Sequence, residues 1–164
     1  MVRNLIFKTL IDILFIFQGF GIMGAFIIMP FGVTKINQTN LSLSEWTAMH
    51  WSLLILSLIA FVFFMIGVFF LRKIGRYLLT NQYFAIEVIH NLKKSGRFFI
   101  YTGVISFSVF IISWFVKLSS GKVLLYHTDI VLPVFITIVG LFFIIQSDAL
   151  VISKYAKEEN DLTI

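Results

Sequence analysis

The segment 72–97, RKIGRYLLTNQYFAIEVIHNLKKSGR, separates two long apolar halves of the chain and carries six lysines and arginines. On either side lies an apolar run close to the ~20 residues that a helix needs to cross a bilayer. Arginine and lysine side chains are costly to place in hydrocarbon. The sequence therefore predicts that this segment, the connector, lies outside the membrane between two pairs of spanning helices.

The composition agrees with a membrane protein. Of the 164 residues, 59% are hydrophobic and 13% are charged, whereas soluble domains carry about 25% charged residues. The mean hydropathy is +0.98. This length leaves room for a few spans and no separate soluble domain, so we predict a single transmembrane domain over residues 1–164. The absence of cysteine excludes disulfides, thiolate metal ligands and thiol nucleophiles.

Hydropathy predicts an all-α membrane protein with four spanning helices and a polar tail. The spans are predicted at about 9–31, 51–71, 98–116 and 130–152, followed by the tail 153–164. Within the connector, Phe84, Val88, Ile89 and Leu92 share one helical face. This pattern predicts a short helix on the membrane surface between spans two and three.

The orientation follows from the lysines and arginines on each side. The connector, the tail and the N-terminus share one side, and this side carries Arg3, Lys8, Arg72, Lys73, Arg76, Lys93, Lys94, Arg97, Lys154 and Lys157. The other side carries Lys35, Lys117 and Lys122. The positive-inside rule therefore predicts that both termini and the connector are cytoplasmic.

Small residues recur in every span, which is typical of helices that pack closely in a bundle. In the first span, Gly19, Gly21 and Gly24 match the G-x-G-x-x-G pattern of dinucleotide-binding folds. That pattern requires a preceding strand and a helix that starts at the glycines. Here the glycines lie inside an apolar run, so we interpret them as helix-packing residues and predict no cofactor.

The candidate functional residues within the predicted spans are two carboxylates and one amide, namely Asp12, Asp148 and Gln18. One interpretation is a proton or cation site, because ionisable residues in spans often mark transport pathways. The favoured interpretation is structural: each carboxylate pairs with a cation at the cytoplasmic edge, such as Arg72, Arg76 or Arg97. On the opposite side, Glu45, His50, His127 and Asp129 have the chemistry of metal ligands, but their spacing specifies no site. No nucleophile motif is present either, so we predict neither a metal centre nor an enzyme.

The connector admits three interpretations: a topology signal alone, a binding site for anionic lipid, or a docking site for a protein. The candidate residues for lipid or partner binding are Arg72, Lys73, Arg76, Lys93, Lys94, Arg97, Glu158, Glu159 and Asp161. We expect no direct binding of nucleic acid, since basic residues in a membrane chain mark its cytoplasmic side. Homo-oligomerisation is left open.

The tail and the connector together resemble one family. The ending AKEENDLTI at 156–164, with Phe84, Glu87, Leu92 and Lys93 ahead of a spanning helix, is similar to the domain of unknown function 2975 family, over essentially the whole chain. The resemblance implies a bacterial inner-membrane protein with four spans and no established activity. Where the family has a serine, this chain has Ala85, so we expect Thr80 or Asn81 to start the surface helix.

These observations give three functional hypotheses. The first is a non-enzymatic membrane protein that binds a protein partner through its connector and tail. The second is a small transporter or pore subunit that uses Asp12, Gln18 and Asp148. The third is an immunity protein against a membrane-active toxin.

Overall fold

The computed structural model describes residues 2–28, 48–119 and 130–162. These residues form four helices: α1 Val2–Ile28, α2 Ala48–Leu79, α3 Ile86–Ser119 and α4 Val131–Leu162. All four are long and apolar enough to cross a membrane. The predicted class, an all-helical bundle with four potential spans, is confirmed.

The helices pack in chain order. Within the described residues, α1 packs on α2, α2 on α3 and α3 on α4, and no other pair brings backbones within 8 Å. Asn4 near the start of α1 donates to the Leu78 carbonyl near the end of α2. Ser147 of α4 donates to the Ile89 carbonyl at the start of α3. Consecutive helices are therefore antiparallel, and the start of α1, the α2–α3 turn and the end of α4 gather at one end, here named the basic end.

The α2–α3 interface is built around hydroxyl groups that bond the backbone of the facing helix. Ser95 donates to the Gly67 carbonyl over 2.9 Å, and Thr102 reaches the Ala60 carbonyl at 3.4 Å. Both pairs are buried and are separated by seven residues on each helix, the spacing of two turns in a left-handed helix pair. Small residues at these positions allow the two backbones to approach closely, and the buried hydroxyl groups find carbonyl acceptors within the interface.

The α3–α4 interface uses glycine in the same way. A methyl group added at Gly96 would lie 2.6 Å from the Gly140 carbonyl oxygen, and one added at Gly140 would lie 2.7 Å from the Gly96 oxygen. At Gly103 an added methyl would clash with Thr137 and with the Pro133 carbonyl. The two backbones are therefore in direct contact along this seam, as the small-residue pattern predicts.

The connector differs from the prediction of a separate surface helix. Helix α2 continues past Arg72 to Leu79, and α3 begins at Ile86, so only residues 80–85 form a turn. Val88 and Ile89 are 3% and 5% exposed, and they lie in the core of the helix array. The predicted surface helix is in fact the first turns of α3. Of the predicted apolar face, Val88, Ile89 and Leu92 pack against protein, whereas Phe84 is 40% exposed.

The predicted helix start at Thr80 or Asn81 is also wrong. Asn81 has a positive φ of 57°, the amide of Asn81 bonds the Leu78 carbonyl, and the amide of Gln82 bonds the Tyr77 carbonyl. This is the Schellman arrangement that ends a helix, with asparagine in the left-handed position that glycine usually occupies. Asn81 thus terminates α2, and the Ala85 carbonyl accepts the first bonds of α3, from Val88 and Ile89.

Candidate functional site at the basic end

Asp12 of α1 is held by two cations. It accepts a hydrogen bond from Arg72 Nε of α2 at 2.5 Å, and Lys8 Nζ lies 3.6 Å from its other oxygen. The Arg72 guanidinium also lies 5.2 Å from the centre of the Phe15 ring. The side chains of Asp12 and Arg72 are 25% and 34% exposed. The expected pairing of Asp12 with an arginine at this edge is confirmed, and it joins α1 to α2.

Asp148 of α4 pairs with Lys93 of α3 at 2.8 Å. The cation is a lysine and not one of the three arginines that we had named. These side chains are 56% and 40% exposed, so solvent and headgroups screen this pair more than they screen Asp12 and Arg72. The two carboxylates thus occupy separate helix interfaces.

Gln18 is the third candidate residue within the predicted spans, after Asp12 and Asp148. Its side chain is 7% exposed, and neither its amide nitrogen nor its amide oxygen has a hydrogen-bond partner within the described chain. Asp12 and Gln18 lie on α1 and Asp148 on α4, two helices whose described residues do not pack together. The structure therefore does not assemble the three residues into one site.

Lys73 and Lys94 come from different helices and meet at one aromatic ring. The Lys73 ammonium lies 5.6 Å from the centre of the Phe70 ring, and the Lys94 ammonium lies 5.3 Å from the same centre. Lys73 also lies 4.8 Å from the centre of the Phe69 ring. Within the described residues neither lysine has a carboxylate partner, unlike Arg72 and Lys93.

The remaining predicted residues are dispersed over the basic end. Arg76 and Arg97 are exposed. Glu158 lies 3.8 Å from Lys154 one turn before it, and Glu159 has an interaction partner. The side chain of Asp161 lies outside the part of the chain that the structure describes.

The sequence analysis did not predict that a set of large apolar side chains is exposed together at the basic end. These side chains come from the α2–α3 turn, the start of α3 and the end of α4, and they are Tyr83, Phe84, Ile86, Ile152 and Tyr155. The Lys157 ammonium of α4 lies 5.8 Å from the centre of the Phe84 ring, which brings the turn and the end of α4 together. The available signal was the presence of large apolar residues within segments that are otherwise polar.

Of the four residues with the chemistry of metal ligands, only His50 lies in the part of the chain that the structure describes. Glu45, His127 and Asp129 lie outside the described residues, so the structure neither assembles nor separates them from His50. Within the described ranges, no three histidine or carboxylate side chains gather as a metal site would require.

The fold and the basic end define an integral, multi-pass membrane protein with its charged side chains concentrated at one end of four apolar helices. The chain belongs to the family described as protein of unknown function (DUF2975), whose model matches residues 34–164. The match begins after α1, so it covers less than the whole chain that we had expected. No curated protein and no solved structure matches the chain.

Proposed function

We propose that this protein is a non-enzymatic protein of the bacterial inner membrane that binds a protein partner in the cytoplasm. Its binding surface, here named the docking surface, consists of Tyr83, Phe84 and Ile86 around the α2–α3 turn together with Ile152 and Tyr155 of α4. The basic end is cytoplasmic in this proposal, because ten of the thirteen lysines and arginines lie on that side.

The proposal rests on exposed apolar side chains of α4 that lie beyond the Asp148–Lys93 ion pair. Helix α4 continues from Asp148 to Leu162, a length of about 21 Å at 1.5 Å per residue. Tyr155 lies about 10 Å past the Asp148 ion pair by the same measure, and it is 64% exposed, while Ile152 is 71% exposed. Exposed apolar patches rimmed by polar residues mark interaction sites in proteins.

The α2–α3 turn and the end of α4 lie next to each other at the basic end. Lys157 lies against the ring of Phe84, and Ile86 next to it is 57% exposed. Arg72 and Lys93 are left out of the docking surface because their charges are engaged with Asp12 and Asp148. Immunity against a toxin would be a special case, with the toxin as the bound protein.

Site-specific photo-crosslinking tests the proposal. A photoreactive phenylalanine analogue placed at Phe84 or at Tyr155 should give an adduct of one defined mass in native membranes. The matched control position is Phe142, which is also exposed on α4 but lies six residues before Asp148, well inside the predicted span, whereas Ile152 is the last residue of that span and Tyr155 lies beyond it. Adducts at Phe142 as strong as at Tyr155, or none at any position, would contradict the proposal; an adduct of twice the chain mass would identify a second copy as the partner.

A substitution on the docking surface tests whether the crosslink depends on that surface. Ile152→Glu adds a charge to the docking surface and should reduce the Tyr155 adduct at least about tenfold, because a desolvated charge at an interface costs several kcal/mol. Ser153→Glu adds the same charge one residue further along, also at an exposed position, and should leave the adduct unchanged. Equal losses in both variants would indicate an effect of charge alone.

A further inference from the structure

Two ammonium groups lie at the hydrocarbon edge without a carboxylate. Lys73 follows the predicted span 51–71 by two residues, and Lys94 precedes the span 98–116 by four. Lysines at such positions usually extend toward water. Here both ammonium groups lie against the Phe70 ring, 5.6 and 5.3 Å from its centre, and no described carboxylate is bonded to either.

A row of aromatic rings runs from this pair toward the middle of the predicted spans. Phe70 stacks on Phe98 with their ring centres 5.8 Å apart. Phe98 in turn contacts Phe63 and Tyr101, at 5.8 and 6.1 Å between ring centres, and Phe63 contacts Tyr101 at 6.0 Å. Tyr101 is 50% exposed. Residues of α2 and α3 thus form a continuous apolar track below the two lysines.

We propose that Lys73, Lys94 and this row of rings form a binding site for an anionic phospholipid. The lipid phosphate lies between the ammonium groups of Lys73 and Lys94, and one acyl chain lies along Phe70, Phe98, Phe63 and Tyr101. The charges are complementary: two ammonium groups close to hydrocarbon are costly without a counter-charge, and a lipid phosphate supplies that charge at this depth together with an apolar chain. The site is separate from the docking surface and does not depend on it.

Native mass spectrometry of the full-length protein in mild detergent tests the site. Bound lipid is counted in a titration with phosphatidylglycerol and in a second one with phosphatidylcholine. We expect a saturable phosphatidylglycerol that phosphatidylcholine does not replace. Lys73→Gln with Lys94→Gln should weaken it about thirtyfold, since each lysine near a lipid surface contributes about 1 kcal/mol. Each single variant should weaken it about fivefold, and Lys73→Arg with Lys94→Arg should retain it.

The matched control is Arg76→Gln, which removes one exposed positive charge of α2 one turn from Lys73. Affinity should be unchanged in this variant. A loss equal to that in the single lysine variants would mean diffuse attraction to the basic end and would overturn the site. Displacement of the lipid by excess inorganic phosphate would assign the lysines to a soluble anion and would overturn the lipid assignment. If the glutamine pair is unstable, loss of binding in the folded arginine pair would also overturn it.

Discussion

At the scale of single residues, the two ion pairs of the basic end differ in how much they should stabilise the fold. Asp12→Asn leaves Arg72 without its counter-charge in a partly buried site. We expect the free energy of unfolding to fall by about 1–3 kcal/mol, the usual range for a hydrogen bond to a charged group. Asp148→Asn should cost less than about 1 kcal/mol, because the pair with Lys93 is more exposed.

Unfolding by a denaturing detergent, followed by circular dichroism in mixed micelles, measures both losses. Arg72→Gln combined with Asp12→Asn provides the coupling energy of the pair, because the double-mutant cycle removes the separate effects of each substitution. Equal losses for Asp12→Asn and Asp148→Asn would contradict the assignment of the α1–α2 pair as the stronger one.

At the scale of helices, the α3–α4 seam should not tolerate even one added methyl group. In Gly140→Ala the new methyl would lie 2.7 Å from the Gly96 carbonyl oxygen and 2.9 Å from Ile100. The helices must move apart, so we expect unfolding free energy to fall by about 1–3 kcal/mol, as for other overpacked cores. The same detergent titration measures it.

The matched control is Gly19→Ala, in α1. An added methyl there meets no atom within 4 Å, and alanine is better than glycine inside a helix by about 0.5–1 kcal/mol. This variant should be as stable as the natural chain or slightly more so. Helix propensity favours alanine at both sites, so a loss at Gly19 as large as the loss at Gly140 would contradict the assignment of the Gly140 effect to backbone contact.

At the scale of the whole molecule, the start of α1, the α2–α3 turn and the end of α4 lie together at the basic end. We therefore predict that all three lie on the cytoplasmic side of the membrane. The chain contains no cysteine, so a variant with one introduced cysteine has one reactive thiol. Gln82→Cys, in the exposed α2–α3 turn, should react with a membrane-impermeant maleimide in inverted vesicles and not in spheroplasts. Asn40→Cys, in the segment between the first two predicted spans, should show the opposite pattern. Labelling of Gln82→Cys from the outside would place the docking surface outside the cell.

Helix α1 is attached to the rest of the molecule less extensively than the other three helices are to one another. Helices α2, α3 and α4 are joined by backbone contacts at small residues, whereas α1 is attached to α2 alone within the described residues. The family match also begins after α1. Helices α2, α3 and α4 therefore carry the residues of the proposed docking surface and of the proposed lipid site, and α1 contributes Asp12 to the ion pair with Arg72 of α2.

The amino-acid sequence by itself determined the class, the number of potential spans and the end at which charge collects. These follow from solvation, because the cost of placing a lysine or a carbonyl group in hydrocarbon depends on the residue and hardly on its neighbours. The pairing of Asp12 with a cation was also predictable, since lysines and arginines are abundant at that end of the spans.

The tertiary structure alone decided the surroundings of the connector. The face of Val88 and Ile89 has the same helical period whether it lies on lipid or on another helix, so periodicity cannot distinguish the two. The contacts that bury it, from Ile89 to Ser147 and from Ser95 to Gly67, join residues distant in the chain. Which lysine remains unpaired beside an aromatic ring depends on the same long-range packing, because side-chain partners are set by geometry between helices and not by local sequence.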